Sequence, residues 1–335
     1  VPEFTGTQAV SPGVLKGLVA LWLAGRATFA LSGWLGPAPA ALFDLGLSLA
    51  LLYAVAGPLW RQPTRRHLAF FHTLAALTLA HAGFYAALLS GGDALAWLRL
   101  STALLMILIV VALSRISMRL VNDVLEAQGG LSAPYAARPP RRNLAVFAIG
   151  LHGASEFLLP GSAVAGWLAL AAGAAICHLL NDWHVGRALL QRWVLIPYGA
   201  YACMALGYLA AGAARLGGFG ADSAGLHLMF VGTLGLSVLI VMAVAGRLHA
   251  GWPLDHRRWL PWTAAGLLLA ALLRALAGHF ALPAHAPSLL TLAAASWVIA
   301  WASYLAWSWR PLAGPRPDGG QGCDEAGARE ASQRR

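Results

Sequence analysis

Residues 223–246 read SAGLHLMFVGTLGLSVLIVMAVAG and contain no Asp, Glu, Lys or Arg. A segment of about 20 mostly apolar residues is long enough to cross the roughly 30 Å hydrocarbon core of a membrane as a helix. Backbone polar groups in lipid must be hydrogen-bonded within the segment, and the alternating ten-residue stretches of a β-barrel are not visible here. The segment therefore predicts a transmembrane α-helix.

Similar segments recur along nearly the whole chain, so the predicted fold is all-α, a polytopic integral membrane helix bundle with about ten transmembrane helices. The predicted spans are 14–33, 38–60, 67–89, 94–114, 143–159, 162–180, 193–213, 223–246, 259–280 and 287–308. Composition agrees, because 59% of the residues are hydrophobic and 11% are charged, against roughly 25% charged residues in a soluble domain. We expect one transmembrane domain over residues 1–310 and a disordered cytoplasmic tail over residues 311–335.

The formal charge of +10 is explained by where the basic residues lie. Eighteen arginines fall in one alternate set of loops and tails, and Arg215 stands alone in the opposite set. This is the pattern of the positive-inside rule for an even number of spans with both termini in the cytoplasm. The charge therefore indicates topology and lipid contact in a bacterial inner membrane, and it does not indicate nucleic-acid binding.

The connections between spans are mostly short. Turns such as 33–37, 91–93 and 160–161 predict that consecutive helices form tight hairpins. The longest interior connection, 115–143, begins with an amphipathic stretch that carries Ile116 and Leu120 beside Arg115 and Arg119. This stretch is predicted to lie along the cytoplasmic interface.

Eleven histidines are the sharpest chemical signal in so apolar a chain, because haem iron and borderline metals take imidazole ligands. His67, His72, His178, His184, His249 and His256 are predicted near the cytoplasmic side, His152 in mid-membrane, and His81, His227, His279 and His285 toward the outer half. Two layers of imidazole are thus predicted. For any single histidine the alternative is an interfacial or helix-bonded side chain.

Four ionisable residues within predicted spans are singled out, because such a residue costs roughly 2.5 to 3.5 kcal/mol on insertion scales and usually faces a partner or a cavity. They are Arg26, Asp44, Glu156 and Arg274. Arg26 and Asp44 lie on adjacent helices at similar depth and are candidates for an ion pair. An arginine without such a partner is a candidate for binding a haem propionate or another anion.

Other chemistry finds little support. The three cysteines have no CxxC arrangement, so neither a disulfide framework nor a thiolate metal site is indicated. There is no Gly-rich phosphate loop, GxSxG elbow or HExxH motif, which argues against nucleotide and hydrolase chemistry. Catalytic residues are not identified.

Five short segments, in this order, resemble the NnrS family of haem- and copper-containing bacterial membrane proteins linked to nitric oxide. VPEFTG at residues 1–6 resembles the family's V-P-N-W-T-G, and LWLAGR at 21–26 resembles L-W-L-x-G-R. His227 with VGTLG at 231–235 resembles H-A-L-x-V-G-x-x-G. LHAGWPL at 248–254 resembles G-H-T-G-R-P-L, and PRPDG at 315–319 resembles the closing P-R-P-D-G.

The resemblance implies bound haem b and copper and a role in the response to nitric oxide and nitrosative stress. On this basis His227 and His249 are the predicted metal ligands, and His81 and His152 are further predicted cofactor-binding residues. Arg26 and Arg274 are predicted to bind the haem propionates. Nitric oxide is the expected ligand and the lipid bilayer the expected surroundings.

The chain also departs from the family pattern. Tyr198 and Tyr85 stand where histidines are usual, Val244 stands where an arginine is usual, and the interior R-x-x-P-x-F-T motif is reduced to Arg115. The family's W-H-x-H-E-M stretch would lie before Val1, in which case the native protein has twelve spans rather than ten.

Two other functions remain open. A cofactor-free secondary transporter or permease would use Arg26, Asp44, Glu156 and Arg274 as a charged path through the membrane. A membrane scaffold would use its histidines only structurally.

Overall fold

The computed structural model describes residues 10–61, 68–129, 134–218, 220–278 and 283–319. Within these ranges every regular element is helical, which confirms the all-α prediction. The α-helices are α1 Pro12–Ala30, α2 Ser32–Leu35, α3 Ala38–Trp60, α4 Leu68–Ser90, α5 Ala94–Ala127, α6 Pro139–Leu158, α7 Ala163–Leu180, α8 Arg192–Gly217, α9 Asp222–His227, α10 Gly235–His249, α11 Trp259–Ala277 and α12 Ala286–Ala313. A π-helix, Leu228–Leu234, joins α9 to α10. The predictions made for residues 1–6, His67, His279 and residues 320–335 lie outside the described residues.

Nine helical segments in the described part of the chain are long and apolar enough to cross a membrane. They are α1, α3, α4, α5, α7 with the following turn, α8, the continuous run Ser223–His249, α11 and α12. Many large apolar side chains on them are exposed, such as Leu42 (70%), Tyr53 (85%) and Val298 (62%). Because lipid rather than water accommodates apolar surface of this extent, the protein is a multi-pass membrane protein.

The helix α6 occupies the predicted span 143–159 but is less apolar than the other nine. Arg141 and Arg142 lie in its first turn and Glu156 lies near its end, so its uncharged part is limited to residues 143–155. Leu144, Phe147 and Leu151 are nevertheless exposed along it.

The predicted hairpin turns are confirmed at three places. Gly36, Gly91 and Gly161 all have φ between 71° and 80°, a conformation that glycine adopts without steric cost. Ser162 follows the last of these turns and caps α7 by accepting a hydrogen bond from Ala165 N. Local sequence thus ends one helix and begins the next within a few residues.

The amphipathic stretch after residue 115 is not a separate interfacial helix. α5 continues without a break to Ala127, and Ser117, Leu120 and Val121 are buried on it. Asn122 accepts a hydrogen bond from Tyr135 N (2.8 Å) and donates one to Tyr135 O (3.1 Å). The interior connection therefore packs back onto α5, and the stretch continues that helix instead of forming a helix of its own.

The described residues divide into two compact units. Unit 1 contains the residues up to Leu108 together with Glu156–Pro160, and unit 2 contains Ile109–Ser155 and the residues from Gly161 onward. Unit 1 is built mainly from packing of α1 on α3 and of α3 on α4, and unit 2 from packing of α7 on α8 and of α11 on α12. The single-domain organisation over residues 1–310 stays a prediction.

Candidate functional site

A groove of about 400 Å³ in unit 2 is lined by two of the predicted site residues, His227 and Arg274. Its other walls are apolar side chains of the π-helix, α11 and α12, namely Val231, Ala270, Leu290, Ala293, Ala294, Trp297 and Val298. An apolar pocket of about 300 to 1,000 Å³ with a few polar groups is typical of small-molecule sites. This groove is therefore the candidate functional site.

His227 is oriented by a hydrogen bond to its own helix. Its Nδ1 lies 2.6 Å from the carbonyl oxygen of Ser223. Since a carbonyl oxygen can only accept, Nδ1 carries the proton and donates it. In the neutral ring Nε2 then holds a lone pair, and metal-ligating histidines are commonly oriented by such a bond at the other nitrogen.

The π-helix begins directly after His227. π-helices are rare and are frequently found at functional sites. Thr233 anchors this one by donating from Oγ1 to the carbonyl oxygen of Ala200 on α8 (3.1 Å). Gly232 lies so close to α8 that an added Cβ would be 2.8 Å from Cys203 Sγ. The first four residues of the VGTLG segment noted in the sequence thus lie in the π-helix, and Gly235 begins α10.

Two glycines let α9 approach α8 closely. A Cβ on Gly225 would overlap the carbonyl oxygen of Gly207, and a Cβ on Gly207 would lie 2.9 Å from the carbonyl oxygen of Gly225. Ala211 lies at the same contact, with its N 2.9 Å from the Cβ position of residue 225. Because Gly225 precedes His227 by two residues, this backbone contact sets where the imidazole lies.

His249 lies at the other end of the same helical run. The run continues from Asp222 to His249, and 22 residues at 1.5 Å each separate His227 from His249 by about 33 Å. Two nitrogen ligands of one metal ion lie within about 4 Å of each other. The two histidines therefore cannot hold the same ion, and the prediction that each is a ligand stays a prediction for two separate places.

The segment around His249 is joined to the end of the described chain. Arg316 Nη1 donates to the carbonyl oxygen of His249 (2.7 Å) and pairs through Nη2 with Asp318 (2.6 Å). The Asp318 carboxylate lies beside Gly251, which has φ 75°. The LHAGWPL and PRPDG segments thus contact each other. Residues 311–313 of the predicted tail are helical, because α12 continues to Ala313.

Asp255 organises the loop between α10 and α11. Its side chain is 5% exposed. The carboxylate accepts hydrogen bonds from Arg257 Nη2 (2.5 Å) and Trp259 Nε1 (2.9 Å), and Arg247 Nη1 lies 3.5 Å away. The hydrogen bonds from Arg257 are the main reason that the pKa of Asp255 is well below its ordinary value. The carboxylate is therefore favoured in the folded state.

Asp255→Asn is expected to lower the free energy of unfolding by about 2 kcal/mol at neutral pH, because charge-assisted hydrogen bonds are lost. Since the folded-state pKa is depressed, this contribution is present above the unfolded pKa of roughly 3.9 and is lost as the pH falls below it. Thermal unfolding in detergent at pH 7 and near pH 2 measures both effects. Asp123→Asn, at an exposed carboxylate of α5, is the control, and an equal loss in both variants would contradict the prediction.

In unit 1 the predicted pairing of Arg26 with Asp44 is confirmed. Arg26 Nη2 (2.5 Å) and Tyr85 OH (2.6 Å) both donate to Asp44 Oδ2, and His81 Nε2 lies 4.0 Å from the same oxygen. Ser48 Oγ donates to the Asp44 carbonyl oxygen (2.9 Å), so it accepts from His81 Nδ1 (3.2 Å). Arg26 is thus engaged by a carboxylate, while its role toward a propionate stays a prediction.

Gly25 makes room for this cluster. An added Cβ would overlap Asp44 Oδ1, whereas Gly17, two turns earlier in α1, has open space. Tyr85, which stands where the family resemblance predicts a histidine, belongs to the cluster through its hydroxyl group. Its spacing of four residues from His81 on α4 is the signal by which the sequence indicates a shared helix face.

The last predicted histidine, His152, is held within unit 2. Its Nδ1 donates to the carbonyl oxygen of Ala165 on α7 (3.1 Å), and its ring meets Tyr208 edge to face at 5.3 Å. Across the described ranges, no group of three or more His, Cys, Asp or Glu side chains is arranged to hold a metal ion. The four predicted histidines therefore do not form one polynuclear site among these residues.

Comparison with known proteins supports the resemblance seen in the sequence. A family model described as NnrS protein matches residues 1–316. No curated protein and no solved structure matches the chain. The family match covers nearly all of the chain, including the His227 groove, the Asp44 cluster and the joined segments at His249 and Arg316. The chain belongs to the NnrS family.

Proposed function

We propose that this multi-pass membrane protein binds haem b in the groove beside His227 and takes part in the bacterial response to nitric oxide and nitrosative stress. His227 is the residue that would bind the haem iron, and Arg274 is the proposed counter-charge for a propionate. The observation that carries the proposal is the bond from His227 Nδ1 to Ser223 O at an apolar groove. It leaves the Nε2 lone pair for a metal.

The residues of the groove fit the chemistry of haem. Apolar walls from α11 and α12 suit the macrocycle, and the fork of the Arg274 guanidinium suits a carboxylate. Haem iron bound there would supply the centre at which a diatomic molecule such as nitric oxide binds, while the protein supplies the ligand, the low dielectric and the access. His81 and His152 are second choices as cofactor-binding residues.

Copper is the second cofactor that the family resemblance implies, and His249 is the remaining proposed ligand. The described residues offer no group of three His, Cys, Asp or Glu donors. They therefore do not form a closed copper site.

The proposed location is the bacterial inner membrane, with both ends of the chain in the cytoplasm. The support is the distribution of arginines, eighteen against one between alternate connections.

The test is the optical spectrum, oxidised and reduced, of the full-length protein purified in detergent, with iron and copper analysis. We expect a stoichiometric b-type haem spectrum that shifts when nitric oxide is added. His227→Ala is expected to remove the bound haem. Arg274→Gln is expected to weaken haem binding about tenfold, since a hydrogen bond to a charged group contributes roughly 1.5 to 3 kcal/mol.

His184→Ala is the matched control, because His184 Nδ1 also bonds a carbonyl oxygen of its own chain segment, that of Asn181 (2.7 Å), but the residue is exposed and does not line the groove. His249→Ala, some 33 Å along the helix, is expected to keep the haem spectrum. A featureless spectrum without iron in folded protein would refute the proposal. Transport assays on Arg26 and Asp44 variants would then test the permease function. Alanine variants of His227 and His249 with an unaltered phenotype would favour the scaffold.

A further inference from the structure

A second cavity, of about 620 Å³, lies in unit 2 at the arginine-rich ends of its helices, away from the groove of His227. Unlike the groove, it is lined mainly by polar side chains, among them Tyr135, Arg138, Arg141, Asn181, Asp182 and His184. They come from the connection before α6, the first turn of α6 and the turns after α7. Nothing in the proposed haem site uses them.

Asp182 is the fixed point of this cavity. Its side chain is 3% exposed, and its two oxygens are occupied by Arg141 Nη1 (2.8 Å on Oδ1) and by the backbone N–H of Arg138 (3.0 Å on Oδ2). The Arg138 side chain is 68% exposed, and its Nε lies 3.7 Å from Oδ1. Asp182 therefore neutralises the charge of Arg141 and fixes the backbone of Arg138 through its N–H group.

The remaining titratable groups of the lining do not add negative charge at neutral pH. Burial raises the pKa of Tyr135 to about 12, so its hydroxyl group stays protonated. His184 donates from Nδ1 to Asn181 O and adds a positive charge when it is protonated. With a neutral His184, the two arginines and Asp182 give the cavity a net charge of +1. The planar donor fork of arginine suits phosphate oxygens.

The apolar face of α6 indicates which phosphate source fits. Leu144, Phe147 and Leu151 follow Arg141 at helical spacing and are 47%, 62% and 41% exposed. Leu144 lies less than one turn beyond Arg141, so an acyl chain has an apolar strip that begins where the charged cavity ends. A free phosphate would make no use of this strip.

We propose that this cavity, the arginine cavity, binds the phosphate headgroup of an anionic phospholipid whose acyl chain lies along Leu144, Phe147 and Leu151. Basic pockets between helices at the cytoplasmic side of membrane proteins bind such headgroups. Arg138 contacts the phosphate, while Arg141 and Asp182 hold the cavity in shape.

Native mass spectrometry of the full-length protein in detergent, titrated with phosphatidylglycerol or phosphatidylcholine, tests the proposal. We expect at least one phosphatidylglycerol to bind well above the level of phosphatidylcholine. Arg138→Gln is expected to weaken this binding about fivefold, the change that follows from roughly 1 kcal/mol per basic residue near an anionic surface. The variant keeps the backbone bond to Asp182, so the fold is preserved.

Arg187→Gln is the control, because Arg187 lies in the adjacent 3₁₀ turn and does not line the cavity. Phe147→Gln is expected to weaken the binding of phosphatidylglycerol. The variant is not expected to change the binding of glycerol phosphate, which has a headgroup phosphate but no acyl chain. Equal binding of both lipids, or equal effects of Arg138→Gln and Arg187→Gln, would overturn the proposal. If glycerol phosphate displaces phosphatidylglycerol when both are present at equal concentration, the cavity binds a soluble phosphate instead.

Discussion

Gly225→Ala is expected to lower the free energy of unfolding by about 3 kcal/mol, at the upper end of the range for overpacking. The new methyl group would meet the Gly207 carbonyl oxygen and Ala211 N of α8. Both are backbone atoms, so the strain is relieved only if α9 and α8 separate. His227 follows two residues later, and we expect its groove to lose its shape. Thermal unfolding in detergent, followed by circular dichroism, measures the loss.

Gly199→Ala is the control for this prediction. Gly199 lies on α8, eight residues before Gly207, and an added Cβ would meet only Leu236 Cδ1 at 3.5 Å, an ordinary contact. Because alanine is favoured over glycine in a helix by roughly 1 kcal/mol, this variant is expected to be neutral or more stable. Gly207→Ala, at the other side of the close approach, is expected to behave like Gly225→Ala. Equal stability of the position 225 and 199 variants would show that the helices do not approach as described.

Asp44→Asn is expected to destabilise unit 1 by about 3 kcal/mol. The substitution leaves the Arg26 guanidinium inside a membrane-spanning helix without its counter-charge, and removing one partner of a buried ion pair costs roughly 3 to 5 kcal/mol. We place the value at the lower end because the Arg26 side chain is 49% exposed, whereas that of Asp44 is 4% exposed. Unfolding by heat or by a denaturing detergent is the measurement.

The double variant Arg26→Gln/Asp44→Asn separates charge pairing from simple loss of a side chain. It is expected to be more stable than Asp44→Asn alone, because no unpaired charge is left in the span. Gly25→Ala is expected to disturb the same cluster without changing any charge, and Gly17→Ala on the same helix is its control. If Asp44→Asn is no less stable than the double variant, the pair does not hold α1 to α3.

Much of the fold is predictable because preference for lipid is a property of about 20 consecutive residues. The helices of this chain, except the long α5, largely follow the predicted spans, and the turns at Gly36, Gly91 and Gly161 follow from short glycine-containing connections. The extension of α5 to Ala127 was not predicted. Its polar positions read as an interfacial surface until Tyr135 is seen hydrogen-bonded to Asn122.

The sequence named His227 and Arg274 as candidate site residues but did not predict that they line one groove, and their roles stay a prediction. Arg26 and Asp44 were recognised as a pair, since two charges at similar depth on adjacent helices favour pairing. That His227 and Arg274 line one groove, with the π-helix between α9 and α10, depends on how α11 and α12 pack beside that run. A π-helix has no strong local signature, because its extra residue per turn is accommodated by neighbouring helices.

By itself the sequence determined that the chain crosses a membrane many times as helices, that most arginines fall in one alternate set of connections, and that its motifs resemble the NnrS family. Each of these conclusions depends only on the composition of short segments or on the order of motifs along the chain. Only the tertiary structure decided that Tyr85 completes the Asp44 cluster and that Arg316 binds the end of α10. Such pairings depend on side chains of helices that are distant in sequence and on the close approaches that single glycines allow, and no local pattern encodes them.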